Sequence, residues 1–275
     1  MKKTEYIVDC QWLRQQLNNP QLVIVDCRFQ LANPNWGETQ YQISHIPGAQ
    51  YLHLDRDLSS ELKSHGGRHP LPDIKLLSQK FADLGIIKDE TLVVAYDDSR
   101  FAFAARLWWL LRYLGHKSVV LLDGGWNSWV EADYPVTNAI PETRLGTLVP
   151  QPHTDWLVNI KEVKAAQNKD NIVIVDSRER DRYLGLREPI DPIAGSIPGA
   201  VNSPWKRVTN DSGYLESWEI QQQLWQDYRG AEEIIVYCGS GVTACVNLFS
   251  LNTIGIKKTK LYPGGWSDWC SWLTP

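Results

Sequence analysis

The sequence predicts two α/β domains in tandem, each a mostly parallel sheet flanked by helices. The prediction rests on an internal repeat, on the kind of strand repeated and on length. A β-branched run closed by an aspartate occurs twice, as Leu22-Val-Ile-Val-Asp-Cys-Arg28 and as Ile172-Val-Ile-Val-Asp-Ser-Arg178. Two further marks recur in the same order: Ile46-Pro-Gly-Ala49 with Ile197-Pro-Gly-Ala200, and Asp123-Gly-Gly-Trp126 with Pro263-Gly-Gly-Trp266. Repetition at a spacing of 140 to 151 residues means duplication of a whole domain. A chain of 275 residues is long enough for two units that each bury a core.

Each half then reads in order. The first Val/Ile run is a short continuous apolar segment, the mark of a strand buried on both faces. After the Ile-Pro-Gly-Ala turn comes a second such run followed at once by a helical segment. In the first half this is Leu92-Val-Val-Ala-Tyr96 before Phe101–Leu114; in the second it is Ile234-Ile-Val-Tyr237 before Thr243–Ile254. Strands alternating with helix-length segments indicate parallel strands joined by crossover helices. The stretch from Asn138 to His153 holds Pro141, Pro150 and Pro152 with little periodicity, as an extended linker would. The expected division is 1–140, a linker at 141–155, and 156–275.

Composition excludes several functions. With 43% hydrophobic and 22% charged residues the chain reads as globular, and a net charge of −4 without a basic run gives nucleic acid or an acidic membrane surface nothing strong to hold. The opening MKKTEYIVDC has no apolar run of signal length, and the apolar stretch Leu107–Leu114 is far too short to span a bilayer. Five sparsely spaced cysteines form no Cys-x-x-Cys pair, which fits free thiols in a reducing cytoplasm. The thirteen tryptophans are expected to fill the core and the domain interface.

Overlaying the halves aligns Tyr96-Asp-Asp-Ser-Arg-Phe101 with Tyr237-Cys-Gly-Ser-Gly-Val242, so that Cys238 stands where the first half has Asp97. A cysteine at a strand tip, followed by Gly239, Ser240, Gly241, Val242 and Thr243 and then a helix, sits where successive backbone N–H groups can curl around one sulfur. Such surroundings favour the thiolate. Glycines admit close approach of the donors and left-handed backbone, and Ser240 adds a hydroxyl. A buried core cysteine is the plain alternative, and the glycine-rich turn argues against it. For Cys245, Cys10, Cys27 and Cys270 packing is the expected role.

A cysteine phosphatase would need an arginine six residues after the nucleophile, where this chain has Ala244. Arg182 and Arg187 lie instead in the loop after the first strand of the second half, at the strand end where α/β sites gather. They are candidates to hold a small carboxylate or sulfonate, against the alternative of solvated surface charge. A metal site at His65 and His69 finds no nearby cysteine and a Gly/Pro-containing loop, and is set aside; no metal or organic cofactor is expected.

These motifs resemble the tandem-domain sulfurtransferases of the rhodanese superfamily over nearly the whole chain. The loop Cys238-Gly-Ser-Gly-Val-Thr243 is similar to that of the mercaptopyruvate-using branch, whereas thiosulfate-using members place basic side chains after the cysteine; Gly66-Gly-Arg-His-Pro-Leu71 is also similar to a family signature. The resemblance implies two rhodanese-like domains, the first inactive with Asp97 in place of cysteine. It implies a Cys238 persulfide drawn from 3-mercaptopyruvate or thiosulfate and passed to cyanide, a low-molecular-weight thiol or a thioredoxin-like protein. It assigns Arg182 to the donor's anionic group, Arg187 as a second arginine, Ser240 to proton transfer, and His45 as a histidine working with Ser240. A non-catalytic persulfide carrier or regulatory module is the other reading the loop allows.

Overall fold

In the computed structural model, which describes residues 5–142, 144–167 and 169–273, the chain forms two compact units. The first contains Met1–Ser60, Pro72–His153 and Asp211–Leu215; the second contains Glu61–Leu71, Thr154–Asn210 and Glu216–Pro275. Residues 141–153, read as linker, belong to the first unit, where Gly146 N donates to Ala82 O and Gln151 N to Leu114 O.

The first unit runs β1 (Ile7–Val8), α1 (Cys10–Gln16), β2 (Leu22–Asp26), α2 (Trp36–Ile43), β3 (Ala49–Tyr51), α3 (Ile74–Asp83), β4 (Leu92–Tyr96), α4 (Ala104–Tyr113), β5 (Val119–Leu122) and α5 (Gly125–Glu131). Its sheet has the order β1-β5-β4-β2-β3 with every pair parallel. The second runs α6 (Ile160–Ala166), β6 (Ile172–Asp176), α7 (Arg180–Tyr183), β7 (Val201–Asn202), α8 (Trp218–Leu224), β8 (Glu233–Tyr237), α9 (Ala244–Thr253), β9 (Thr259–Leu261) and α10 (Gly265–Ser271), in the order β7-β6-β8-β9, again parallel throughout. Parallel strands with helices on their faces must be apolar on both sides, and Val93–Tyr96 and Ile234–Tyr237 are all buried. No helix among the described residues is long and apolar enough to cross a membrane.

The repeated aspartate has a structural task in both units. Asp26 holds Arg28 through Nε and Nη2, with Tyr96 donating to Oδ2 and Arg28 Nη2 donating to Ser44 O. Asp176 holds Arg178 in the same way, and Arg178 Nη2 donates to Gly195 O. Each pair is buried, and the charges face one another at 2.6 Å, as burial of charge requires. Arg28 also lies over Trp126 and Arg178 over Trp266, which ties the aspartate mark to the Gly-Gly-Trp mark.

One helix begins later than its sequence suggests. α4 starts at Ala104, not Phe101, because Arg100 and Phe101 have φ of 60° and 70°. Their loop is pulled instead around the Asp97 carboxylate, which accepts N–H bonds from Ser99, Phe101, Phe103 and Ala104 at 2.8–3.1 Å. Within one unit, this strand-loop-helix turn therefore gathers four N–H donors on one carboxyl group, which burial nonetheless raises above its ordinary value.

Candidate active site

In the second unit the equivalent turn carries Cys238. The residue follows β8 at the C-terminal edge of the sheet and is 2% exposed; Ser240 and Val242 are also buried. The loop is held from below by Pro263-Gly-Gly-Trp266. Trp266 N donates to Cys238 O and Ser267 N to Gly239 O, at 2.8 and 2.9 Å. A side chain on Gly265 (φ +58°) would lie 2.5 Å from Cys238 O, which is why the mark needs glycine there. Gly241 takes φ +72° with its α-carbon packed on Pro263, and Cys245 Sγ donates to Gly241 O. In the first unit Trp126 N donates to Asp97 O in the same manner.

The segment Glu61–Leu71 belongs to this unit although it comes from the first half of the sequence. It is fastened to α10 and the residue after it: Gly66 N donates to Asp268 Oδ1 at 2.8 Å, and the His65 ring stacks on Trp272 with centroids 3.8 Å apart. That placement delivers two side chains to the cysteine loop. His69 Nδ1 lies 2.7 Å from Ser240 Oγ, in hydrogen-bond contact. Arg68 Nη2 lies 2.9 Å from where a β-carbon on Gly239 would be, with Arg182 Nη2 and Nη1 at 3.6 and 3.7 Å from the same point. The residues that follow buried Cys238 in the loop therefore meet polar groups: two guanidiniums beside Gly239 and an imidazole on the Ser240 hydroxyl.

The guanidiniums are held by carboxylates. Arg182 donates to Glu188 through Nε and Nη2, at 3.1 and 2.7 Å, and to Asp191 Oδ2 at 3.3 Å. Arg68 pairs with Asp191 Oδ1. Glu188 also accepts from buried Arg178 and from the amides of Ile190 and Asp191. Burial pushes the Glu188 carboxyl up, but the Arg182 hydrogen bond, the amide donors and the Arg182 charge outweigh it, and the carboxyl sits below its ordinary value. For Asp191 burial prevails over the nearby Arg68 charge and the carboxyl is raised.

The other sequence candidates lie elsewhere. Arg187 is exposed and pairs with half-buried Asp181 at 2.5 Å; it does not join the group around Gly239. Its side chain continues from a loop whose inward position is taken by Arg182, six residues after Asp176. His45 is buried in the first unit between Tyr41 O (2.6 Å, Nδ1) and Ala139 O (3.2 Å, Nε2), with its ring stacked on Tyr41. The imidazole that meets Ser240 is His69. Thr243 stands just before α9 and is partly buried. Burial raises the thiols of Cys10, Cys27 and Cys270, the last to about 11, which suits packing and not nucleophilic attack. Arg68, His69, Glu188 and Asp191 were not singled out as site residues from sequence; the Gly-Gly-Arg-His-Pro-Leu mark was the available signal for the first two.

The sequence matches the rhodanese-like domain family over residues 9–132 and again over 159–271. It is 41% identical over 268 residues to the "probable 3-mercaptopyruvate sulfurtransferase" of Pseudomonas aeruginosa, covering 96% of this chain and 94% of that one. It is 28% identical to the thiosulfate sulfurtransferase of Rattus norvegicus, covering 96% and 91%. The fold superposes on the crystal structure of SseA from Escherichia coli, described among 3-mercaptopyruvate sulfotransferases, with a TM-score of 0.83 at 28% identity, covering 95% of this chain and 99% of that one.

Proposed function

The chain belongs to the rhodanese family of sulfurtransferases, and we propose that it carries sulfur from 3-mercaptopyruvate, or from thiosulfate, through a persulfide on Cys238 to cyanide or a thiol. The observation that carries this reading is the convergence of Arg68, Arg182 and the Ser240–His69 pair on the Cys238 loop.

The Cys238 thiolate attacks the donor sulfur, forming an S–S bond. With 3-mercaptopyruvate the C–S bond breaks, its electron pair passes to the carbon, and that carbon takes up the proton given by the donor thiol, leaving pyruvate. The Ser240–His69 contact is suited to relay that proton. With thiosulfate the S–S bond breaks and sulfite leaves. An acceptor then removes the outer sulfur and restores the thiolate, a ping-pong scheme. The loop amides would stabilise thiolate and persulfide alike, as the loop at the corresponding place in the first unit directs four N–H groups at the Asp97 carboxyl. Arg68 and Arg182 take the donor's anionic group and set its sulfur toward Cys238. Arg68 thus fills the place that the sequence reading gave to Arg187. We assign the reaction to the cytoplasm, where free thiols stay reduced.

Incubation with 3-mercaptopyruvate and cyanide tests the proposal. Pyruvate and thiocyanate should form in many-fold excess over enzyme, and without acceptor the protein should gain the mass of one sulfur. Cys238→Ser should abolish both; substantial residual turnover refutes the assignment. Sulfur uptake without repeated pyruvate release would mark a carrier, not a catalyst.

A further inference from the structure

The two guanidiniums that face the cysteine loop are balanced on their far side by two buried carboxylates. Asp191 and Glu188 side chains are 2% and 3% exposed. They take Arg68 Nη1 and Arg182 Nε and Nη2, and among the described residues neither Arg68 Nη2 nor Arg182 Nη1 has a hydrogen-bond partner. Those two nitrogens are among the atoms nearest to the open side of Gly239. Arg178, the next cation in the chain of contacts, is itself met by Asp176. The group therefore presents directed N–H donors with almost no net positive charge.

We propose that Asp191, assisted by Glu188, is a specificity-determining residue that makes the site favour a monoanionic carboxylate donor over a dianionic one. A planar carboxylate is recognised by fixed, paired N–H donors, which the Asp191 bridge between Arg68 and Arg182 supplies. A thiosulfate dianion depends more on net field, which the two carboxylates cancel. The cysteine loop itself, Gly-Ser-Gly, adds no cation. The inference rests on the reading above that Arg68 and Arg182 receive the donor, and it goes further in saying why one donor class is preferred.

The test is the ratio of kcat/KM for thiosulfate to kcat/KM for 3-mercaptopyruvate, with cyanide as acceptor, in the unsubstituted protein and in Asp191→Asn, Asp191→Glu and Glu188→Gln. Removing one negative charge should raise the ratio about tenfold in Asp191→Asn and in the same direction in Glu188→Gln. It should also steepen the loss of thiosulfate activity with added salt. Asp191→Glu, which keeps the charge, should hold the ratio near its original value. A parallel fall for both donors with an unchanged ratio, or a shift toward 3-mercaptopyruvate, overturns the proposal, and Glu188→Gln decides the matter if Asp191→Asn does not fold. Unchanged KM for both donors in Arg68→Met and Arg182→Met would instead overturn the donor-binding reading beneath it.

Discussion

Two neighbouring glycines in the cysteine loop should respond in opposite ways to the same change. Gly241 has φ +72°, where a side chain costs roughly 1–2 kcal/mol. A β-carbon there would also lie 2.8 and 2.9 Å from the α-carbon and carbonyl carbon of Pro263, backbone atoms that cannot swing aside. Together these put Gly241→Ala at about 3 kcal/mol of lost stability, a fall in Tm of roughly 6–12 °C. At Gly239 the backbone is not left-handed, and the nearest atom to a new methyl is Arg68 Nη2 at 2.9 Å, the end of a flexible side chain, followed by Arg182 Nη2 at 3.6 Å. Gly239→Ala should therefore leave Tm unchanged or raise it slightly, since alanine restricts the unfolded chain by about 0.4–1 kcal/mol. It should also push Arg68 back by about half an ångström, lowering kcat/KM for the donor roughly tenfold, mainly through KM. Calorimetric Tm and steady-state pyruvate release measure the two effects separately. Full activity in Gly239→Ala, or a loss of Tm there as large as at Gly241, would refute the geometry.

Ser240→Ala and His69→Ala should each lower kcat for 3-mercaptopyruvate by about 10²-fold, and the double variant should lose no more than either alone, because both act on one proton path; additive losses would show two separate roles. Burial and the Asp97 charge push Asp98 up to about 6. An acid raised on folding binds its proton more tightly folded than unfolded, so its contribution to stability falls as pH rises from about 4 to about 6 and stays low above that. Asp98→Asn should then raise Tm near pH 7.5 by up to the equivalent of about 3 kcal/mol and leave it unchanged near pH 4; equal effects at both pH values would remove the cause given.

Part of this protein could be read before any coordinates. The Val/Ile strands, the paired Gly-Gly-Trp marks and the cysteine at a glycine-rich strand tip are local patterns, and local patterns suffice to specify a duplicated parallel α/β fold and to single out one cysteine. Gly265 and Gly241 stand in those marks, but the contacts that require them, with Cys238 O and with the Pro263 backbone, join positions 27 and 22 residues apart in the chain and are tertiary.

The remainder of the site depends on distances that no local pattern contains. Arg68 and His69 stand some 170 residues before the loop they serve, and they reach it because Gly66 and His65 fasten their segment to Asp268 and Trp272. Spacing alone could not separate Arg182, whose guanidinium is turned inward by Glu188, from Arg187, whose partner Asp181 holds it in solvent. Nor could it separate His69 from His45, which satisfies two carbonyls in another unit. The chain by itself marked the cysteine we propose as the sulfur carrier; which charges stand beside its loop was decided only by tertiary packing, because the partners of a buried charge are chosen by proximity after folding and not by order along the backbone.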